Sequence, residues 1–408
     1  MKTENIKCPC KVLKIHDLVT LYPFEGATNR TSLILIEKKQ KTIFPIPCTL
    51  WSNQKSISIE QGAELREVKK NTEQFDLFFI PMDRNKPETP WMETSEKAYE
   101  GIRNALGSSP QYRAYAGMYT GLNQAYWVKR VSEGPDGILV TNPLLVGQKK
   151  QVKQVEEVIE EDLIFTLIRG RDVKKWYVLS ENRYVIIPHD NKSGKPLSES
   201  VMKVDYPKSY KYFNKLRGEL ENRAIQKLWG KGKPFYSVYD IGNYTFYPYK
   251  VVWKEIAGKI AGKGEFSVAV VEPEASKKGK NLIAVPDHKL MFIPLKNRVE
   301  AYYVAGILNS TIARFIVASY TIETTMDTHI SNSINIPRFD SKNPLHSNLA
   351  NLSMQAHREA KHSRDAKKET IHDLKDVEKE IDNVVAAIYG IDSNTELEIR
   401  KCLNILSP

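Results

Sequence analysis

Cysteine is scarce in this sequence, and long apolar runs are missing from it. Four cysteines among 408 residues are too few for the disulfide framework of a small secreted domain. The longest apolar runs contain only a few residues, far short of the ~20 that span a bilayer as a helix. The polar start MKTENIK also lacks the apolar segment of a secretory signal. We therefore expect a cytoplasmic protein that does not interact with membranes.

The usual signatures of catalysis are missing too. A phosphate cradle needs a Gly-rich loop between a strand and a helix, but GKGKP at 230–234 and IAGKIAGKGEF at 256–266 lack that context. No Ser or Cys nucleophile motif stands out. A weak nuclease pattern remains, because Asp17 and Glu37 could hold Mg²⁺ while Lys39, on the same strand face as Glu37, orients a water molecule. Its spacing is loose, and charged proteins often contain such a pattern by chance.

Positive charge is abundant and unevenly distributed. The formal net charge is +11, and residues 191–270 contain 15 Lys and Arg against 7 Asp and Glu. Between Tyr206 and Trp253 lie 13 of the 39 aromatic residues. Because cations bind phosphates and rings stack on bases, this mixture is typical of a surface that binds a polyanion. A Tyr-rich core beneath a solvated Lys face is an equally good interpretation of the same composition.

The segment YPFEGATNRTSLILIEKKQKTIFPIP, residues 22–47, has the pattern of the end of a sheet. Its apolar run at 33–36 is bounded by polar and charged residues, which is typical of a fully buried strand. Such a strand needs neighbours on both sides, but the preceding residues have room for one more strand at most. We therefore expect residues 1–60 to form two or three strands of an incomplete sheet.

The remaining sequence mixes strands and helices. The predicted elements are a strand at 74–82, a helix within 91–110, a basic helix at 208–226, an amphipathic helix at 298–319, and a long helix or helix pair at 345–388. Gly107 with Pro110 ends the first helix, and Gly390 closes the last. Gly306 in the amphipathic helix is expected to let another element approach closely. Short strands with Gly, Asn and Pro turns fill most of 111–340. The predicted fold class is α+β.

Six segments of the chain resemble one protein family, in that family's own order. They are DLVTLYPFEGATNRTSLILIEKKQKTIFPIPCTLW (17–51), YRAYAGMYTGLNQAYWVKRV (112–131), EDLIFTLIRGRDVKKWYVLSENRYVIIPHD (161–190), AYYVAGILNSTIARFIVAS (301–319), HISNSINIPRF (329–339) and KEIDNVVAAIYGI (379–391). This combination resembles the adenine-N6 DNA methyltransferases of restriction-modification systems, of the TaqI-like and type IIG kinds. Each segment alone is a weak signal, whereas the six together cover nearly the whole chain.

The resemblance implies that the family's catalytic domain precedes the first segment. The implied regions are a remnant of the end of the methyltransferase catalytic domain at 1–60, a linking strand and helix at 61–110, a mixed α/β target-recognition domain at 111–340, and a helical tail at 341–408. The family's Gly-rich loop for S-adenosylmethionine is absent from this chain. Its Asn/Asp-Pro-Pro-Tyr/Phe loop is absent too, since Asn142 and Pro143 are followed by Leu144.

The resemblance implies sequence-specific recognition of double-stranded DNA, as the specificity half of a truncated or split enzyme. We expect no cofactor in this chain. A separate catalytic chain would be its partner, and would bind S-adenosylmethionine and methylate an extruded adenine. Two alternatives stay open. One is an intact enzyme, either a methyltransferase with degenerate motifs or the Mg²⁺ nuclease, and the other is a basic module that binds another protein.

Nine residues are predicted to contact DNA, because phosphates attract cations whereas base edges need forked donors or amides. The predicted phosphate contacts are Lys208, Lys211, Lys215 and Arg217. The predicted base or groove contacts are Asn123, Arg169, Arg171, Lys174 and Lys175. For two of these a structural role is an open alternative. Arg171 could pair with Asp172, and the segment from Thr120 to Asn123 could be a structural turn.

Overall fold

The fold is given by a computed structural model, which describes residues 9–18, 21, 31–53, 59–60, 62–143, 152–179, 182–255, 266–275, 281–320, 326–365 and 371–406. The strands are β1 (Cys10–Asp17), β2 (Ser32–Lys38), β3 (Ile46–Asn53), β4 (Thr72–Pro81), β5 (Trp91–Thr94), β6 (Tyr115–Ala116), β7 (Trp127–Gly134), β8 (Gly137–Thr141), β9 (Glu156–Ile159), β10 (Ile164–Ile168), β11 (Val173–Lys174), β12 (Tyr177–Val178), β13 (Tyr184–Ile186), β14 (Tyr249–Lys254), β15 (Ala269–Val271), β16 (Glu274–Ala275), β17 (Asn281–Leu282), β18 (Ala284–Pro286) and β19 (Leu290–Leu295). The helices are α1 (Leu65–Asn71), α2 (Glu96–Gly101), α3 (Asn123–Tyr126), α4 (Glu199–Val204), α5 (Pro207–Asn214), α6 (Arg217–Glu221), α7 (Ala224–Trp229), α8 (Arg298–Asn309), α9 (Thr311–Tyr320), α10 (Pro344–Asp365), α11 (Ile371–Tyr389) and α12 (Ser393–Leu406). The predicted α+β class is confirmed.

The first sheet has five strands in the order β2-β1-β3-β4-β5. β1 is parallel to β3, and the other pairs are antiparallel. The predicted strand at 74–82 is confirmed as β4, and the described part of residues 1–60 contributes three strands, within the expected two or three. The sheet continues across the predicted boundary at residue 60, however, because β3 and β4 pair along eight residues each. The first three strands are therefore part of a larger sheet within this chain.

The apolar run at 33–36 forms the edge strand β2, and the prediction that it is fully buried is wrong for the described residues. Leu33, Ile34, Leu35 and Ile36 are 44–57% exposed. β2 pairs with β1 along one edge only, and none of its side chains is buried. An apolar run favours a strand, but the sequence does not reveal which neighbours cover it. β2 thus presents an unpaired apolar edge of the kind that recruits other strands.

One large core joins the first sheet to the C-terminal helices. It contains buried side chains from β3 and β5 as well as from α8, α9, α10, α11 and α12. A Cβ at Gly306 would lie 2.8 Å from the Leu349 side chain, so the predicted role of this glycine in close packing is confirmed. The predicted helical tail is confirmed as α10, α11 and α12. It packs in the same core as the first sheet rather than apart from it.

The amphipathic helix predicted at 298–319 is in fact two helices, α8 and α9. The backbone is extended at Ser310, and the two axes are bent by 56°. Within the described residues, no single helix is long and apolar enough to cross a membrane. The bent pair meets that test by length and composition together, but most of its residues are buried in the large core.

A second core lies within residues 118–285. It contains side chains from a six-stranded sheet in the order β18-β10-β13-β7-β8-β9 and from the helices α4, α5 and α6. The single basic helix predicted at 208–226 is divided into α5, α6 and α7. Gly218, a weak helix former, lies in α6, and Arg223 has extended dihedral angles immediately before α7. The buried contacts of Arg223 override the helical periodicity there.

A four-stranded sheet, in the order β15-β14-β19-β6, connects the two cores. One face of β14 contributes Val251 and Trp253 to the large core. Val252, on the opposite face, belongs to a small third cluster together with Ile168 of β10 and Ala284 of β18. Residues 111–340 are therefore shared between two cores, and the turns that surround this sheet lie where the cores meet.

Candidate nucleic-acid interface

Lys211 on α5 and Lys215 directly after it, both predicted to contact phosphates, are already paired with a carboxylate. The ammonium groups of Lys211 and Lys215 lie 3.1 and 2.8 Å from Oε2 of Glu157. Burial by itself would raise the pKa of Glu157, but the hydrogen bonds from the two lysines hold that pKa below its usual value. Much of the positive charge of this helix is therefore neutralised within the protein.

Arg217 and Lys208 are similarly engaged. The Arg217 guanidinium lies 3.3 Å from Glu199 and 3.1 Å from Glu221, and it stacks 3.8 Å above the Phe235 ring. The ammonium of Lys208 donates a hydrogen bond to the carbonyl of Asp136. These contacts join the helices to neighbouring turns. The phosphate contacts of all four residues stay predictions, with the internal carboxylates and carbonyls as competitors.

The Leu-Ile-Arg-Gly-Arg-Asp segment at the end of β10 contains two arginines, of which one is buried and the other is exposed. Arg169 is 9% exposed and lies 3.5 Å from Asp172, which also accepts a 2.8 Å hydrogen bond from Arg183. The base contact of Arg169 stays a prediction, and the buried ion pair with Asp172 competes with it. Arg171 is exposed. The alternative pair between Arg171 and Asp172 is not found, since the neighbouring arginines occupy that carboxylate.

Lys175 belongs to an internal contact with the C-terminal helices. Its ammonium lies 2.7 Å from Oε1 of Glu378 on α11, and the indole N–H of buried Trp176 donates to the same oxygen at 2.6 Å. Its base contact stays a prediction, with the Glu378 carboxylate as a competitor. Lys174, one residue earlier, is exposed.

Asn123 lies in a structural turn, as the alternative interpretation held. Thr120 Oγ1 donates to Asn123 Oδ1 at 2.6 Å and accepts a hydrogen bond from the Leu122 backbone N–H at 3.2 Å. Gly121 has a φ of +67°, which glycine adopts without strain. The half-buried side chain of Asn123 therefore shapes the turn.

Four turns meet where the two cores join, at residues 117–121, 169–174, 239–242 and 286–289. We call this region the junction surface. The backbone N–H of Met118 donates to the Pro286 carbonyl at 3.0 Å, and that of Asp287 donates to Ile168 at 2.9 Å. Tyr119 and Tyr239 exchange a pair of 2.9 Å backbone hydrogen bonds. These bonds hold the four turns against one another.

The junction surface carries two cations whose side chains have no internal partner. Arg171 and Lys174 are exposed, and neither side chain forms a hydrogen bond or ion pair with any residue that the structure describes. The pKa of Lys254 is lowered mainly by burial, and the positive charge of nearby Lys174 is the second cause. Lys289 is exposed and pairs with Glu255 at 3.0 Å. Sequence reasoning missed Lys254 and Lys289 because nothing in their local pattern distinguishes them from other surface lysines.

Aromatic rings lie beside these cations. The rings of Tyr119 and His288 are in edge contact, 5.3 Å apart. Burial and the nearby Lys289 lower the pKa of His288, so its imidazole is neutral at pH 7 and offers one donor and one acceptor. Cations, a neutral imidazole and tyrosine rings together form a surface that can bind phosphates and contact bases.

The close packing of this surface gives a direct test. A Cβ at Gly117 would lie 2.0 Å from the carbonyl oxygen of Asp287, so Gly117→Ala must displace backbone. We expect a loss of about 1–3 kcal/mol in the free energy of unfolding, measured by urea denaturation. Gly134→Ala is the matched control, because no atom lies within 4 Å of its added Cβ. Equal stability of the two variants would contradict the close approach.

The nuclease pattern is not assembled in the structure. Asp17 pairs with Ser32, while Glu37 pairs with Lys11 at the other end of the β1–β2 hairpin. Six residues of strand place the two carboxylates ~20 Å apart, too far to share a metal ion. Among the residues that the structure describes, no group of three or more His, Cys, Asp or Glu side chains is arranged to hold a metal. The geometry therefore gives the nuclease hypothesis no support.

Known proteins are similar to this chain in sequence and in fold. No family model matches it. The Type II methyltransferase M.NspV of Nostoc sp. (strain ATCC 29411 / PCC 7524) is 25% identical over 165 residues, which are 40% of this chain and 30% of that protein. The type IIL restriction-modification enzyme MmeI, solved in complex with DNA, superposes with a TM-score of 0.50 at 9% identity, over 97% of this chain and 46% of that one.

A second solved structure is less similar. The type IIG restriction endonuclease BpuSI gives a TM-score of 0.28 at 11% identity, over 93% of this chain and 43% of that one. This chain therefore spans less than half the length of each of these relatives. The MmeI superposition shows that the fold of this chain is similar to that of part of the MmeI structure.

Proposed function

We propose that this chain recognises double-stranded DNA as the target-recognition part of a restriction-modification enzyme that methylates adenine at N6. The observation that carries the proposal is the junction surface, where exposed Lys174 lies near Lys254. Exposed Arg171 follows Gly170, at which an added Cβ would lie 3.5 Å from Cβ of Lys289. The sequence similarity to a Type II methyltransferase and the fold similarity to an enzyme solved in complex with DNA support it. Methyl transfer itself, with S-adenosylmethionine as donor, is assigned to a catalytic domain outside the sequence of this chain.

The catalytic domain would dock against β2. Its four apolar side chains are about half exposed, and one edge of the strand is unpaired among the residues that the structure describes. A neighbouring strand would satisfy that edge and cover the apolar side chains. The proposed partners of this chain are thus duplex DNA and the catalytic methyltransferase domain, on a separate chain or on the same one.

Salt-dependent binding tests the assignment of the DNA surface. We expect the chain to bind a mixed-sequence duplex of about 30 base pairs, with log K falling linearly against log salt between about 50 and 200 mM. Arg171→Gln with Lys174→Gln is expected to reduce the slope by about 2, because each phosphate contact contributes about 0.9. Fluorescence anisotropy with labelled duplex measures both quantities.

The matched control removes two charges from α5. Lys211→Gln with Lys215→Gln keeps hydrogen-bond donors for Glu157, and we expect it to change the slope by less than about 1, because these charges are already paired. If Lys211→Gln with Lys215→Gln reduced the slope more than Arg171→Gln with Lys174→Gln, the DNA surface would lie at α5, as the predicted phosphate contacts imply. No salt-dependent binding at all would overturn the proposed function.

A further inference from the structure

Two large apolar side chains project into solvent at the end of α7. Leu228 is 74% exposed and Trp229 is 58% exposed. The chain has six tryptophans, all within the described residues, and the other five are buried or half-buried. An exposed indole loses the free energy that its burial would contribute to folding. The stability of the fold therefore does not explain the exposure of Leu228 and Trp229, which we call the tip.

The tip lies at one end of a row of rings that leads to the junction surface. The Trp229 ring is in edge contact with Tyr239, 6.1 Å away. Tyr239 is joined to Tyr119 through its backbone, and the Tyr119 ring contacts His288. Trp229 is therefore continuous with the surface proposed to bind DNA.

The surroundings of the tip are cationic. Lys227, Lys231 and Lys233 are exposed on α7 and in the turn that follows it, and the Lys233 ammonium lies 5.1 Å from the Tyr239 ring centre. A tip of two apolar side chains among three lysines matches a partner that offers flat apolar faces between anionic groups. Stacked base pairs between phosphate backbones have that chemistry.

The base of the tip is firmly held. Arg223, directly before α7, donates to the carbonyls of Thr120, Ser237 and Phe235. Gln226 Oε1 accepts a 2.8 Å hydrogen bond from the Tyr239 hydroxyl. An apolar group that unstacks a base step needs such a support, because the distortion of DNA costs energy that the protein must resist.

We infer that Leu228 and Trp229 form a wedge that presses into a base step of duplex DNA and unstacks it, while the flanking lysines bind the adjacent phosphates. This inference rests on the proposed function. It adds that the chain deforms its target, so that recognition includes the ease with which the DNA unstacks.

A duplex that is already unstacked tests the wedge without knowledge of the recognised sequence. The probes are two duplexes of about 30 base pairs and equal length, one fully paired and one with two central mismatches, since a mismatch lowers the cost of unstacking. We expect the wild-type chain to bind the mismatched duplex about 10-fold more tightly, and Leu228→Ser with Trp229→Ser to reduce that ratio to about 1. Circular dichroism checks that the variant is folded.

Two controls separate the wedge from general binding. Lys227→Gln is expected to weaken binding to both duplexes equally and keep their ratio, as a phosphate contact would. Val204→Ser, which changes a 77% exposed apolar residue on α4, is expected to leave both affinities unchanged. Equal wild-type affinity for the two duplexes, or an unchanged ratio in the double variant, would overturn the wedge while leaving the proposed function. No wild-type binding to either duplex would overturn both.

Discussion

Replacing Arg223 with methionine is expected to lower the free energy of unfolding by about 3–5 kcal/mol. The side chain is 3% exposed. Its guanidinium donates at 2.5 Å to the Thr120 carbonyl, at 3.0 Å to Ser237 and at 2.6 Å to Phe235. Methionine keeps the apolar stem but leaves these carbonyls without their donor, and each unsatisfied buried acceptor costs ~1–3 kcal/mol. Urea denaturation followed by far-UV circular dichroism measures the loss.

Arg217→Met is the matched control for this prediction. Arg217 also contacts carboxylates and an aromatic ring, but its side chain is 34% exposed, and surface ion pairs contribute only ~0–1 kcal/mol. A difference of less than about 1 kcal/mol between the two variants would contradict the structural role of Arg223. We also expect Arg223→Met to weaken DNA binding, because the Thr120 turn and α7 lose the contact that joins them.

Replacing Lys250 with methionine is expected to raise stability. Lys250 lies in β14, between β15 and β19, and its side chain is 1% exposed. Its ammonium has a 2.6 Å hydrogen bond to the Tyr247 carbonyl. Burial lowers the pKa of this lysine from 10.5 to about 7, and at ~1.4 kcal/mol per pH unit this corresponds to a cost of about 5 kcal/mol at pH 7.

Methionine has nearly the same length and carries no charge to desolvate. Loss of the hydrogen bond to Tyr247 offsets about 1 kcal/mol of the gain, so we expect Lys250→Met to be more stable than wild type by about 2–4 kcal/mol at pH 7. Urea denaturation of both proteins at pH 7 measures the difference. A loss of stability at pH 7 would contradict burial of this group without a charged partner.

The advantage of Lys250→Met must depend on pH. Because the folded-state pKa is below the unfolded one, the unfolded chain binds the additional proton between pH 7 and 10.5, and wild-type stability rises with pH across that interval. The advantage should therefore shrink by about 1.4 kcal/mol per unit from pH 7 to pH 9. Lys296→Met is the control, because exposed Lys296 lies 4.8 Å from the Tyr247 ring centre. We expect no such pH dependence for it.

Sequence patterns predicted elements wherever local periodicity and packing agree. The strand at 74–82, the helix pair at 345–388 and the close packing at Gly306 are confirmed. The segments 208–226 and 298–319 were each predicted to form one continuous helix, which is wrong, because they form three helices and two helices respectively. In the first, the tertiary contacts of Arg223 divide the helix, and in the second the chain bends at Ser310. Neither break has a proline to mark it in the sequence.

The DNA-contact predictions were limited by the same physics. A basic sequence such as that of α5 shows how many cations are present, but not that Glu157, distant in sequence, lies beside two of them. In the turn after β10, the sequence does not distinguish Arg169 from Arg171. In the structure Arg169 forms a buried ion pair, whereas Arg171 is exposed. Trp229 was counted among the aromatics of a possible DNA surface, and only its exposure distinguishes it from the core tryptophans.

By itself the sequence determined the α+β class, the order of the main elements, the concentration of positive charge and the absence of methyltransferase motifs, because these depend on composition and local spacing. The tertiary structure alone decided which charges are free, which apolar residues face solvent, and that the first sheet shares its core with the C-terminal helices. The reason is that burial and ion pairing depend on residues that are distant in sequence. At Glu157, Arg171, Lys250 and Trp229, these long-range contacts determine the charge or exposure on which function and stability depend.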